Sequence, residues 1–353
     1  MQDEMLLAAQ DKEIVARFGD KGFGKRPDIL KYPSDIIEQV KQGATSFHVS
    51  EERWKNPLQL TTSMSKRELN NLRIGWDLVI DIDFEVWEIT KTIANEIIKA
   101  LKEHGVSSIS CKFSGNKGFH IGVPFKAFPE KVHGQETRLL FPEATKRVVS
   151  YLADYIDSKE KGFTLSKKIV DNKKFKEFLK EKGKKEEDFV KTVCLSCGKV
   201  LRPHEKNQVE FICPKCGKTV SADESVKYML CDKDKVYMER IQNTAMKKCL
   251  KCGGTKFGKK VNLFIDTLLV SSRHLYRMAY SLHEKSGLVS IPIDPNKVLE
   301  FDKSNAKPEV VRVPRFKFLD TKNVKKGEAR KLIIESFDYK PQIEGEESEL
   351  EKK

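Results

Sequence analysis

The sequence predicts a mixed α/β fold of the α+β class, with mixed sheets flanked by helices and an inserted, cysteine-bearing subdomain. Three observations predict it. Strand, helix, strand, turn and strand patterns follow one another within about fifty residues of Trp76. Seven of the eight cysteines then fall between Cys194 and Cys252. Regular apolar structure resumes beyond them, at Val261.

The elements follow in order. The stretch from Met1 to Gly75 carries turn signals at Gly22-Phe23-Gly24 and Tyr32-Pro33 and reads as a folded lobe of unassigned topology. Trp76–Asp83 (WDLVIDID) has the β-branched, alternating pattern of a strand. From Glu88 to His104, Ile89, Ile93, Ile97 and Leu101 share one helical face, and Gly105 is a helix stop. Val106–Phe113 and Phe119–Phe125 read as further strands joined by the tight turn Ser114–Gly118. The Lys-, Glu- and Phe-rich stretch 158–191 reads as exposed helix and linker. The polar end, 341–353, reads as a disordered acidic tail. These boundaries give a discontinuous core, 1–160 with 256–340, around a helical and cysteine-knuckle insert, 161–255.

The 353 residues are 39 % hydrophobic, enough for a sizeable core. With 66 Lys and Arg against 52 Asp and Glu, the net charge is +14. That excess suits a polyanionic partner such as nucleic acid, and equally suits solubility in a Lys-rich cell. No apolar run reaches membrane-spanning length, and Met1–Ala9 lacks the apolar core of a secretion signal. These features point to the cytoplasm, where thiols stay reduced and clustered cysteines serve as metal ligands rather than disulfides.

Asp81 and Asp83 stand two apart on a strand and so project from the same face. Carboxylates held this close repel, and a divalent cation removes that cost. Oxygen ligands suit Mg²⁺ or Mn²⁺, and a pair of such ions suits phosphoryl chemistry. An isolated D-x-D pair is more often a surface ornament; here the flanking Leu78, Val79, Ile80 and Ile82 argue for a central strand. In the following turn, Gly115 and Gly118 permit close approach of a ligand to backbone N–H groups. Ser114, Lys117 and His120 add a hydroxyl, a cation and a ring donor for phosphate oxygens.

Asp81-Ile-Asp83 followed by Ser114-Gly115-x-x-Gly118-x-His120 resembles the first two motifs of the archaeo-eukaryotic primase superfamily. The block after VNLFID (Asp266, Arg277, Ser281-Leu282-His283, Lys285-Ser286-Gly287) is similar to the third motif region of primase small, catalytic subunits. The segment Gly43–Leu60 resembles the archaeal members. The resemblance implies that Asp266 completes the metal set with Asp81 and Asp83, and that Arg277 and His283 contact the incoming triphosphate.

Cys194-x-x-Cys197 and Cys213-x-x-Cys216, separated by 15 residues, fit the spacing of a closed four-thiolate zinc site. A third knuckle, Cys249-x-x-Cys252, lacks a partner pair. Cys231 could join it in a second zinc site with His204 as a fourth ligand, or Cys249 and Cys252 could pair with one of the earlier knuckles. Cys111 reads as a small buried apolar residue. Primase small subunits commonly carry one zinc module, so three knuckles exceed the family pattern.

The resemblance implies a DNA primase catalytic subunit: template-directed synthesis of short primers on single-stranded DNA, from NTPs or dNTPs, with two Mg²⁺ or Mn²⁺ ions. It also implies structural Zn²⁺ and a primase large subunit as partner. The competing expectations are a primase–polymerase or an end-joining repair polymerase of the same superfamily. A third is a non-catalytic zinc-containing relative that binds nucleic acid.

Overall fold

The computed structural model describes residues 1–158, 164–201, 208–223, 225–241, 249, 251–261 and 271–340. The chain divides into two compact units, Met1–Ile156 with Leu263–Tyr339, and a second built on Asp157–Asn262. The expected tail and Asp266 lie outside the described residues.

The first unit is organised by a four-stranded antiparallel sheet in the order Pro292–Ile293, Ser110–Phe113, Gly118–Val123, Leu78–Asp83. Its two faces differ in chemistry because side chains alternate along each strand. Ile82, Phe119 and Phe113 lie in one cross-strand row. That face carries the helix Trp87–Glu103, whose Trp87 ring stacks on Phe119 at 5.0 Å and meets Phe113 edge-on at 5.8 Å. Ile89, Ile93, Ile97 and Leu101 are all buried, as their helical spacing requires.

Asp81, His120 and Lys112 form the neighbouring row, on the opposite face. There the sheet meets a second one, ordered Ile14–Arg17, Ser46–Ser50, Leu275–Arg277. Val79 joins the apolar cluster of Ile14, Ala16, Phe47, Val49, Tyr276 and Met278.

Three boundaries differ from the sequence reading. The single strand expected at Trp76–Asp83 is two: Arg73–Trp76 pairs with Glu52–Trp54, and Leu78–Asp83 enters the four-stranded sheet. The break falls at Asp77, whose buried carboxylate pairs with Lys12 (2.6 Å) and Arg53 (3.3 Å) and accepts the Phe125 N–H. The strand after the long helix begins only at Ser110, because Ser107 and Ser108 turn their N–H groups to the Glu328 carboxylate. The last strand stops at Val123, ahead of Pro124.

The N-terminal lobe is tied to residues 271–274 by buried charge. Glu13 takes Arg26 at 2.7 Å and Arg273 at 2.6 Å, and Glu51 takes His274 at 2.9 Å. Glu52, fully buried, takes Arg73 through two contacts of 2.8 and 2.5 Å and also accepts the Arg273 N–H. Sequence patterning gave no sign of this network, because its members are scattered along the chain from Glu13 to His274.

In the second unit, the helices Thr164–Asp171 and Lys173–Glu181 meet at Asn172, whose side chain accepts the N–H groups of Lys174 and Phe175. Two three-stranded antiparallel sheets follow. One is Val200–Leu201, Val190–Cys194, Phe257–Val261; the other is Thr219–Asp223, Gln208–Ile212, Glu239–Ile241.

Breaking a buried ion pair leaves an unpaired buried charge, so Arg73→Ala is expected to cost about 3–5 kcal/mol. Urea unfolding followed by tryptophan fluorescence measures it, since the Trp54 ring lies 5.4 Å from the Arg73 guanidinium. A loss under about 1 kcal/mol would show the network to be dispensable.

Candidate active site

Exposure rises along the acid strand. Val79 is sealed in the core, the Asp81 side chain is 47 % exposed, and Asp83 is exposed at the strand end. The two carboxylates therefore stand where the dry interior meets solvent. Partial burial, with a further push from Glu85, raises the Asp83 carboxyl above its usual range, against the pull of Lys117 and Lys303. A pair of hard oxygen donors, with the ionised form of Asp83 disfavoured, fits a divalent cation such as Mg²⁺ or Mn²⁺.

His120 sits opposite Asp81 in the sheet, its Nε2 3.5 Å from Asp81 Oδ1. Burial, with Lys112 and Arg277 nearby, pushes its pKa well below the ordinary value, so the ring is neutral. Its Nδ1 is buried and makes no hydrogen bond among the described residues.

The turn is closed by its own serine. Gly118 N donates to Ser114 Oγ at 3.2 Å, and Ser114 N donates to Gly118 O at 3.0 Å. Gly118 is required by contact: a Cβ there would lie 2.5 Å from the Ile82 carbonyl oxygen, between the two acids. Gly115 is similarly hemmed in, because a Cβ would lie 2.8 Å from His283 Cβ. Ser286 Oγ donates to Gly115 O, so the turns at 114–118 and 283–288 clasp each other. Lys117 reaches Glu85 at 2.7 Å.

Arg277 is held more firmly than its proposed role suggests. Its guanidinium forms a two-pronged pair with Glu284, at 3.0 and 2.7 Å, and donates to Leu282 O at 2.7 Å. Glu284 also accepts from Ser46 Oγ at 3.1 Å and lies 3.5 Å from Arg17. Burial alone would raise the Glu284 carboxyl; Arg277 overrides that and holds it at about 2. His283 is half-buried, and burial together with Arg277 lowers its pKa.

Two basic groups here escaped the sequence reading. His48, opposite Arg277 in the second sheet, is driven down to about 3 by burial and by that guanidinium. Lys112 is completely buried, directly across from His120. Its Nζ donates to Ser290 Oγ at 2.9 Å and lies within 6 Å of the Tyr276 and Phe318 ring centres. Burial brings its pKa down to about 7 against the opposing pull of Asp81. The available signal was Lys112 as the one charged residue of the expected strand Val106–Phe113.

The cysteines group differently from their spacing. Cys194 and Cys197 do not join Cys213 and Cys216; they meet Cys249 and Cys252, with sulfur separations of 3.6 Å for 194–252 and for 197–249. The physical reason is sheet pairing: Val190–Cys194 runs antiparallel to Phe257–Val261, which brings together the knuckles flanking those strands. Cys213, Cys216 and Cys231 gather with Asp234. His204, like Asp266, lies outside the described residues.

With this geometry in view, the comparison with known families is decisive: the DNA primase small subunit family matches residues 80–295. The chain belongs to that family. The match runs from the acid strand through the cysteine unit to the clasped turn at His283. An uncharacterized protein of Methanocaldococcus jannaschii is 30 % identical over 118 residues, 32 % of this chain. The aligned part is 25 % of that relative's length. The polymerase domain of Mycobacterium tuberculosis Ligase D, solved in complex with DNA, aligns with 84 % of this chain and 78 % of its own, at 12 % identity and a TM-score of 0.38. Among the described residues, no helix of this family member is long and apolar enough to cross a membrane.

Two outcomes follow for this primase-family site. Gly118→Ala is expected to cost about 1–3 kcal/mol, because the new methyl must displace backbone; thermal unfolding checks it. Glu284 contributes stability that is present above its ordinary pKa of 4.5 and lost as the pH falls through about 2. The stability deficit of Arg277→Gln should therefore be level near neutral pH and shrink below about pH 4.5. Urea unfolding of both proteins across that range measures it.

Proposed function

We propose that this chain is the catalytic subunit of a DNA primase, joining nucleoside triphosphates on a single-stranded DNA template. The observation that carries the reading is the placement of Asp81 and Asp83 at the open end of Leu78–Asp83, which is an edge strand among the described residues rather than the central strand its apolar flanks suggested, opposite His120 and Gly118. Acids so placed can hold cations where a polyphosphate can reach them.

Asp81 and Asp83 would bind Mg²⁺ or Mn²⁺, with Asp266 as a third ligand on the strength of the family resemblance. Two such ions, when bound, supply the positive charge that stabilises the attacking and leaving oxygens of nucleotidyl transfer. The chain's own groups then position the substrate. The turn Ser114–Gly118 offers backbone N–H groups and Lys117 to the triphosphate, and neutral His120 offers a ring N–H. The clasp between the turns holds His283 beside Gly115, so both would meet the same polyphosphate. Arg277 would reach it by sharing its guanidinium with Glu284, which fixes that side chain's direction. The net charge of +14 suits the template backbone. A primase large subunit and action on DNA inside the cell follow from the same reading.

The four thiolates of Cys194, Cys197, Cys249 and Cys252 fit structural Zn²⁺. Tetrahedral bonds of about 2.3 Å place sulfurs about 3.8 Å apart, and the observed separations are 3.6 Å.

Asp81→Ala and Asp83→Ala are each expected to reduce synthesis by on the order of 10³-fold. The assay supplies unprimed single-stranded DNA, Mg²⁺ or Mn²⁺ and labelled NTPs or dNTPs, with circular dichroism confirming the fold. Synthesis retained in either variant would sink the metal assignment. Product only on primed or broken-end templates would point to the primase–polymerase or repair-polymerase readings instead. DNA binding without any nucleotide consumption would point to the non-catalytic one.

A further inference from the structure

The cysteine unit contains a knuckle that its sequence disguises. In each C-x-x-C turn, the first cysteine's N–H donates to the carbonyl five residues on, and its own carbonyl accepts the N–H four residues on. Those bonds are Cys194 N to Lys199 O (2.9 Å) and Gly198 N to Cys194 O (2.8 Å) in the first turn. They are Cys213 N to Lys218 O and Gly217 N to Cys213 O, both 2.9 Å, in the second. In the last they are Cys249 N to Gly254 O (2.7 Å) and Gly253 N to Cys249 O (2.8 Å).

Cys231 makes the same pair of bonds: its N–H donates to Val236 O and its carbonyl accepts from Lys235 N, both at 2.9 Å. The residue after the second ligand position is left-handed in every case. Gly198, Gly217 and Gly253 have φ of 72°, 69° and 70°, and Lys235 has φ 52°. A lysine in that region is uncommon and unfavourable without a reason. Here the shape of a metal knuckle supplies it. By this equivalence Asp234 stands where Cys197, Cys216 and Cys252 stand.

We propose that Cys231-Asp-Lys-Asp234 is a fourth knuckle, and that Asp234 is a metal ligand completing a three-thiolate, one-carboxylate zinc site with Cys213, Cys216 and Cys231. The separations fit an ion. Cys216 and Cys231 sulfurs are 3.7 Å apart, against about 3.8 Å for two thiolates on tetrahedral zinc. Asp234 Oδ2 lies 3.4 Å from Cys213 Sγ and 3.6 Å from Cys231 Sγ. Zinc bonds of about 2.3 Å to sulfur and 2.0 Å to oxygen require about 3.5 Å. The four donor atoms all lie within 4.8 Å of one another. Two knuckles facing each other make one closed site, so the four knuckles make two. A hard carboxylate among soft thiolates makes this the weaker of the two sites.

The test is independent of nucleotide chemistry. Full-length protein is passed over a chelating resin and its zinc is measured by mass spectrometry. Wild type is expected to hold two equivalents, Asp234→Ala one, and Asp234→Cys two, with the second released more slowly to a chelator than in wild type. In cobalt-loaded protein, Asp234→Cys adds an eighth thiolate to seven, so thiolate-to-metal charge transfer should grow by about one part in seven. A merely structural aspartate predicts no such growth. One equivalent in wild type, two in Asp234→Ala, or an unchanged cobalt spectrum in Asp234→Cys would each overturn the proposal.

Discussion

The antiparallel register of Leu78–Asp83 against Gly118–Val123 is the constraint on which the rest of the first unit depends. It sets Asp81 opposite His120 and Asp83 opposite Gly118. A shift of one residue would turn both acids onto the face covered by the Trp87–Glu103 helix and expose Ile80 and Ile82. Register is locked from both sides: Phe119 and Ile82 fill the helix-facing layer, and Val79 fills the layer under the second sheet. The close approach of Ile82 O at Gly118 admits no side chain there, so this pairing position requires glycine.

Around that pairing, burial rather than charge count sets the electrostatics. Lys112, His120 and His48 are basic side chains removed from water, and each is shifted toward its neutral form. The Arg277 guanidinium is paired with Glu284. The site is thus poised between acids near solvent and bases held dry behind them. This arrangement suits a substrate that brings several negative charges with it.

Much of this was legible in the chain. The two-residue spacing of Asp81 and Asp83, the glycine turn and the helix of Ile89, Ile93, Ile97 and Leu101 each rest on local periodicity, which the sequence displays directly. What was not legible depends on distant pairing. The strand break at Asp77 needs Lys12 and Arg53, and the partner of Arg277 is fixed only when residues 277–284 turn back. The knuckles show the limit most clearly. Spacing says which thiols share a turn, but strand pairing decides which turns share an ion. Asp234 stayed hidden because its letters break the cysteine pattern while its backbone keeps it.

The buried charges of the N-terminal lobe also bear on how the protein is made. Glu13, Glu51 and Glu52 find partners in Arg273 and His274, and the central sheet gains an edge strand only at Pro292–Ile293. On the ribosome, all of these partners emerge after the cysteine unit has been synthesised. Until then Glu51 lacks His274, Glu13 and Glu52 have only Arg26 and Arg73 of their partners, and the segment Met1–Ile156 keeps an open sheet edge, a feature that invites association with other chains. The cysteine unit, whose strand pairings fall within 190–261, has its partners sooner. The order of completion thus runs opposite to the order of synthesis, and the newborn chain is most exposed to misassociation during the interval when only its insert can finish folding.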